Sequence, residues 1–113
     1  MGNISRVLAI FMLVLLRIFL LGHLEAQVRR ISSDKFFGCT EKTYFEKLVV
    51  YFTQKNMNAF TKGLSDGVYA GLCTLFKSGD EVFVIDTAIS SDLIKIRRKG
   101  EVAEYWTNVE AIK

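Results

Sequence analysis

The sequence predicts an α+β domain in which two short N-terminal helices pack on a small antiparallel, barrel-like β-sheet, stapled by one disulfide. Three observations carry that expectation. Apolar residues recur at helical spacing within residues 40–66, and the period changes to that of strands and tight turns within residues 68–113. The chain also holds only two cysteines, Cys39 and Cys73.

The first 26 residues stand apart from this domain. The chain has 113 residues, is 50% hydrophobic and has a formal charge of +3, but these values average two unlike parts. Arg6 supplies a positive start, residues 7–21 an apolar core, and Leu24-Glu25-Ala26 an end at which Ala26 meets the small-residue requirement for cleavage. Residues 1–26 therefore read as a signal peptide. Arg17 interrupts the core, where a charge costs ~2.5–3.5 kcal/mol on insertion scales, and a start at Met12 would turn it into the leading charge. The alternative is an uncleaved membrane anchor, because residues 7–24 number 18, near the lower limit for a crossing. Arg29 and Arg30, just beyond, oppose export of that flank. The expected address is periplasmic or secreted, or else membrane-anchored and facing the periplasm.

Removing residues 1–26 leaves 87 residues with 13 basic and 11 acidic side chains, a net charge of +2. So balanced a surface gives no reason to expect nucleic acid as a partner. A chain of this size makes one thin core that benefits from a staple. Cys39 and Cys73 fit that need, since an even pair in an exported chain reads as a disulfide. Closing a loop of 34 residues stabilises by roughly 4 kcal/mol on the chain-entropy model.

Within the domain, residues 27–39 are polar and basic and read as a loosely held lead-in, with Phe36 and Phe37 anchoring it to the core. Phe45, Leu48, Val49 and Phe52 then mark one buried face of a helix, with Thr40, or Thr43 together with Glu46, as its cap. Asn56 to Asn58 breaks that helix. A second runs over residues 59–64, capped by Asn58, ended near Gly67 and turned inward at Phe60 and Leu64. Strands follow over residues 68–76, 81–86, 92–98 and 101–107. Turns at residues 77–80 and at Lys99-Gly100 and a loop at residues 87–91 separate them. Residues 108–110 suit one helical turn before a last short strand at Ala111 and Ile112.

The order from Gly79-Asp80-Glu81-Val82-Phe83-Val84 through Gly100 to Tyr105-Trp106-Thr107-Asn108-Val109-Glu110-Ala111-Ile112 resembles the bacterial Src-homology-three-like domains. In that family a strand after the first turn, a distal hairpin, a tryptophan, one helical turn and a final strand recur in this order. The resemblance covers residues 68–112 and rests on strand and turn features. It implies a barrel that binds peptides, proteins or cell-wall components and does not catalyse.

The residue chemistry points the same way. The only histidine, His23, lies in the export segment, so neither a histidine-based nucleophile nor a histidine metal site can be assembled after cleavage. There is no Cys-x-x-Cys redox spacing and no glycine-rich phosphate loop, so no cofactor or metal is expected. Asp80 with Glu81, or Glu101 with Glu104, could serve a carboxylate-based cell-wall hydrolase, although charges at turns are ordinarily solvated surface. The binding candidates are Lys95, Arg97, Arg98 and Lys99, a cationic ridge on a strand and its turn, with Tyr105 and Trp106 on opposite faces of the next strand. The sequence thus predicts a non-enzymatic binding module of the envelope, its partner a protein, a peptide or a cell-wall component. The alternative is a membrane-tethered accessory protein.

Overall fold

The computed structural model describes residues 28–88 and 92–113. Residues 1–26, expected to be a signal peptide, and most of the loop expected at residues 87–91 lie outside the described residues. The elements are β1 (Arg29–Arg30), β2 (Phe37–Cys39), α1 (Lys42–Thr53), α2 (Met57–Tyr69), β3 (Cys73–Leu75), β4 (Glu81–Thr87), β5 (Leu93–Arg98) and β6 (Glu104–Asn108). A 3-10 turn over Val109–Ala111 follows. The fold is α+β, and its six strands form one antiparallel sheet in the order β1-β4-β5-β6-β2-β3.

Two expectations are corrected here. The helices are not N-terminal, because the supposed lead-in supplies two strands before them. β1 pairs with the start of β4, and β2 lies inside the sheet between β6 and β3. Phe36 and Phe37 divide between the two cores, as neighbours on an extended chain must. The sheet is also open, not barrel-like. After α2 the chain returns on the outside of β2, which makes the three-residue β3 a far edge, and β1 is only two residues long. A single antiparallel bridge, Ile31 to Ile112, links the first segment to the last.

α1 has Glu41 at its N-cap position and no side-chain cap: Thr40 falls one residue too early and Thr43 inside the first turn, while the Thr40 amide bonds the Leu72 carbonyl at 2.7 Å. It ends with the Lys55 amide on the Phe52 carbonyl and the Asn56 amide on the Tyr51 carbonyl. That is a Schellman ending with Lys55 at φ 59° in the glycine position. Asn56, not Asn58, caps α2 through its side-chain oxygen. α2 is longer than expected and takes up Val68 and Tyr69. It stops at Gly71, φ 77°, with the Gly71 amide on the Val68 carbonyl and the Leu72 amide on the Gly67 carbonyl. Gly67 is instead a close-packing position: a Cβ there would stand 2.7 Å from the Cys73 sulfur and 2.9 Å from the Tyr44 ring. The Tyr44 hydroxyl donates to the Gly63 carbonyl at 2.6 Å, so two glycines four apart let α2 lie against both α1 and the sheet.

Cys39 and Cys73 face each other across β2 and β3 and form the expected disulfide, buried under α2. The helix-bearing face of the sheet encloses Cys39, Phe45, Leu48, Cys73 and Leu93. The opposite face encloses Ile31, Phe76, Val82, Ile94 and Ile96, with Tyr105 and Ile112 against them. The turn before β4 has Gly79 at φ 87°, and the turn after β5 has Gly100 at φ 85°. The latter closes through the Glu101 amide on the Arg98 carbonyl at 3.0 Å.

Candidate functional site

Strand alternation decides which of the candidate residues meet. In β5, Ile94, Ile96 and Arg98 point to one face while Leu93, Lys95 and Arg97 point to the other. The register puts Lys95 opposite Trp106, Arg97 opposite Glu104 and Phe83 opposite Arg97. The helices cover Leu93 and part of Trp106, and beyond them no described residue covers this face. A bulge between Val84 and Asp86 leaves Ile85 exposed at its border.

On this open area two ammonium groups flank Trp106. Lys95 of β5 and Lys42 at the start of α1 each stand 5.6 Å from the ring centroid. The Arg97 guanidinium lies 5.1 Å from the centre of Phe83 and donates to the Glu101 carbonyl at 3.0 Å. Glu104 approaches Lys95 at 3.5 Å. Three cations and two partly uncovered aromatic rings thus share one surface with Glu104. Such a surface offers flat apolar area together with positive charge, a composition found at binding hot spots.

Arg98 does not belong to it. Its side chain turns to the opposite face, lies 5.5 Å from the centre of Phe76 and 5.8 Å from that of Tyr105, and is only 21% exposed. It donates to Glu101 at 2.8 Å and to the Thr74 hydroxyl at 2.8 Å, with Asp80 at 3.7 Å. Burial works against its charge, but the hydrogen bond and charge of Glu101, helped by Tyr105 and Asp80, outweigh that and hold its pKa above the ordinary value. Tyr105 packs edge-on against Phe76 at 6.0 Å. The cationic ridge expected along residues 95–99 is therefore divided between two faces. Lys99 turns to Glu81 at 3.1 Å.

The carboxylates considered for hydrolysis each have a basic partner. Asp80 also accepts from the Lys77 amide within its turn at 3.0 Å, and Glu81 bridges Arg30 and Lys99 at 3.1 Å each. Lys99 first, with Arg30, holds the Glu81 carboxyl below the usual carboxylate range. Glu101 and Glu104 pair with Arg98 and Lys95. Among the described residues no group of three His, Cys, Asp or Glu side chains is placed to hold a metal ion.

One feature escaped the sequence reading. Phe36, Phe37, Val49, Phe52 and Phe60 line a cleft of about 250 Å³ where α1, α2 and β2 meet, with Lys35 and Asn108 at its rim. Helical spacing assigns Phe52 to the buried stripe of α1, yet it is 57% exposed and rests edge-on against Phe60 at 5.3 Å.

The disulfide suits an oxidising, non-cytoplasmic environment. Among the described residues no helix is long and apolar enough to cross a membrane. No family model matches the chain, and no curated protein or solved structure matches it either.

Proposed function

We propose that the protein is an exported, non-enzymatic binding module of the bacterial envelope, acting in the periplasm or the secreted fluid. It recognises an acidic protein or peptide through the open face of its sheet. The observation that carries this reading is Trp106 flanked by Lys42 and Lys95, beside Arg97 on Phe83, on the part of the sheet that the helices leave free. The export-like first 26 residues and the disulfide support the address. The resemblance of residues 68–112 to Src-homology-three-like domains, in hairpin, tryptophan strand and final turn, agrees with binding in preference to catalysis.

Positive charge on a partly apolar face speeds encounter with an acidic partner, and the half-covered ring supplies contact area once docked. The test is capture from envelope extract by the immobilised protein, analysed by mass spectrometry. Reversing charge with Lys95→Glu and Arg97→Glu should abolish capture of the principal partner, whereas Lys113→Glu at the far edge should leave it. Equal capture by the doubly reversed variant would remove this surface from consideration.

A further inference from the structure

We infer that the cleft between α1, α2 and β2 is a second binding site, which takes a medium-chain fatty acid: an apolar body of about eight carbons with a carboxylate head. The cleft is distinct from the open sheet face. Lys42, beside Trp106, and Phe52, at the cleft, stand ten residues apart on α1, about 15 Å along its axis.

Size sets the first limit on the ligand. An apolar void of about 150 Å³ is enough to hold benzene, and a water-sized unit occupies about 30 Å³. The volume of about 250 Å³ therefore holds on the order of eight to ten non-hydrogen atoms. That is the size of octanoate.

Lining chemistry sets the second. The walls come from Phe37 and Phe60, edge-on at 5.6 Å, with Val49 and Phe36 beside them. Phe52 closes one side while 57% exposed. A large aromatic left half in water at the mouth of an apolar void gains from any apolar body that covers it.

Charge sets the third. Among the described residues, the one charged side chain lining the cleft is Lys35. No carboxylate among the described residues lies within ion-pairing distance of it. Asn108 is the other polar residue lining the cleft. An ammonium beside an apolar void favours an anionic head through a charge-assisted hydrogen bond, gives less to a hydroxyl and repels an amine.

The test is a titration of the isotope-labelled protein with octanoate, octanol and octylamine, followed by amide chemical shifts. Octanoate should produce saturable shifts at Lys35, Phe37, Val49, Phe52 and Phe60 while Lys95 and Arg97 stay still. Its Kd should lie about tenfold below that of octanol, the worth of one charge-assisted hydrogen bond, and octylamine should not saturate. Val49→Trp should fill the cleft and remove the octanoate response, and Lys35→Glu should bring octanoate to the level of octanol or weaker. Phe52→Ser, at a position 57% exposed, should weaken octanoate several-fold. It keeps the test valid if Val49→Trp unfolds. Vesicles of a long-chain anionic lipid, phosphatidylglycerol, should give no such shifts, since the cleft takes the free acid. The inference fails if octanoate gives no saturable shifts or moves Lys95 and Arg97 instead. It fails equally if octanol binds as tightly, if vesicles reproduce the response, or if a folded Val49→Trp or Phe52→Ser variant binds octanoate unchanged. Loss of envelope capture by the sheet-face variants leaves this result untouched, so the two sites fail separately.

Discussion

The two faces of the sheet use the same residue types to opposite ends. On the face away from the helices, Arg98 lies between Phe76 and Tyr105, with Glu101, Asp80 and Thr74 around its guanidinium. On the helix-bearing face, Arg97 covers Phe83 and spends one donor on a carbonyl of its own turn, and Lys95 meets Trp106 and Glu104 in the open. Arg97 and Arg98 are chain neighbours, as are Tyr105 and Trp106. One step along a strand thus decides whether a cation–aromatic pair closes a core or remains available to a partner. Composition does not distinguish them; partner satisfaction does.

The largest expected effect tests what seats the helices on one face only. Replacing both cysteines, Cys39→Ala with Cys73→Ala, should cost about 4 kcal/mol in urea unfolding, because the bridge closes a 34-residue loop that contains both helices. A loss below about 1 kcal/mol would mean that packing of α2 through Gly63 and Gly67 suffices without the staple. The second test separates the two arginines directly. Arg98→Met should cost about 2 kcal/mol, since it leaves Glu101 and Asp80 without their cation on a partly buried surface. Arg97→Met should change stability by less than about 0.5 kcal/mol, as an exposed position does. Equal losses would show that both faces are structural, and the open face would no longer be the favoured binding surface.

Much of this arrangement was legible in the residues themselves. The stripe Phe45, Leu48 and Val49, the alternation of β5, the turns at Gly79 and Gly100 and the cysteine pair all follow from local period and turn chemistry. β1 and β2 were not legible. Their few residues carry no alternation long enough to register, and they are strands because β4 and β6 supply hydrogen-bond partners from far along the chain. Gly67 reads as a helix stop to any local rule, whereas the Cys73 sulfur beneath it gives the tertiary reason for glycine. The division of Lys95 and Arg97 from Arg98 was half legible. Alternation gave the two faces, but which one the helices would leave open depends on where α1 and α2 dock. The cleft was invisible for the same reason.

The helix layer offers a milder comparison of its own. α1 and α2 end in the same Schellman geometry, one with Lys55 and the other with Gly71 in the left-handed position. A side chain there costs about 1 kcal/mol relative to glycine. Lys55→Gly should therefore raise stability by about 1 kcal/mol in thermal or urea unfolding, less whatever the more flexible unfolded chain gives back. It should do so without altering capture by the open face or shifts in the cleft. No gain would indicate that Lys55 makes a compensating contact in solution.

The smallest effect concerns the β1–β4 edge, where Glu81 links Arg30 to Lys99. Lys99, and then Arg30, lower its carboxyl pKa in the folded protein relative to the unfolded chain. A depressed carboxylate stabilises the fold above the unfolded pKa and loses that contribution as the pH falls through the folded one. The difference in urea midpoint between the protein and its Glu81→Gln variant should be present at pH 7 and shrink to nothing as the pH falls below the usual carboxylate range. Because the group is solvent-exposed, the difference should be slight and should fade in 0.5 M salt, at a Debye length of only about 4 Å. A difference that persisted in acid, or grew there, would place the role of Glu81 in its shape and hydrogen bonding.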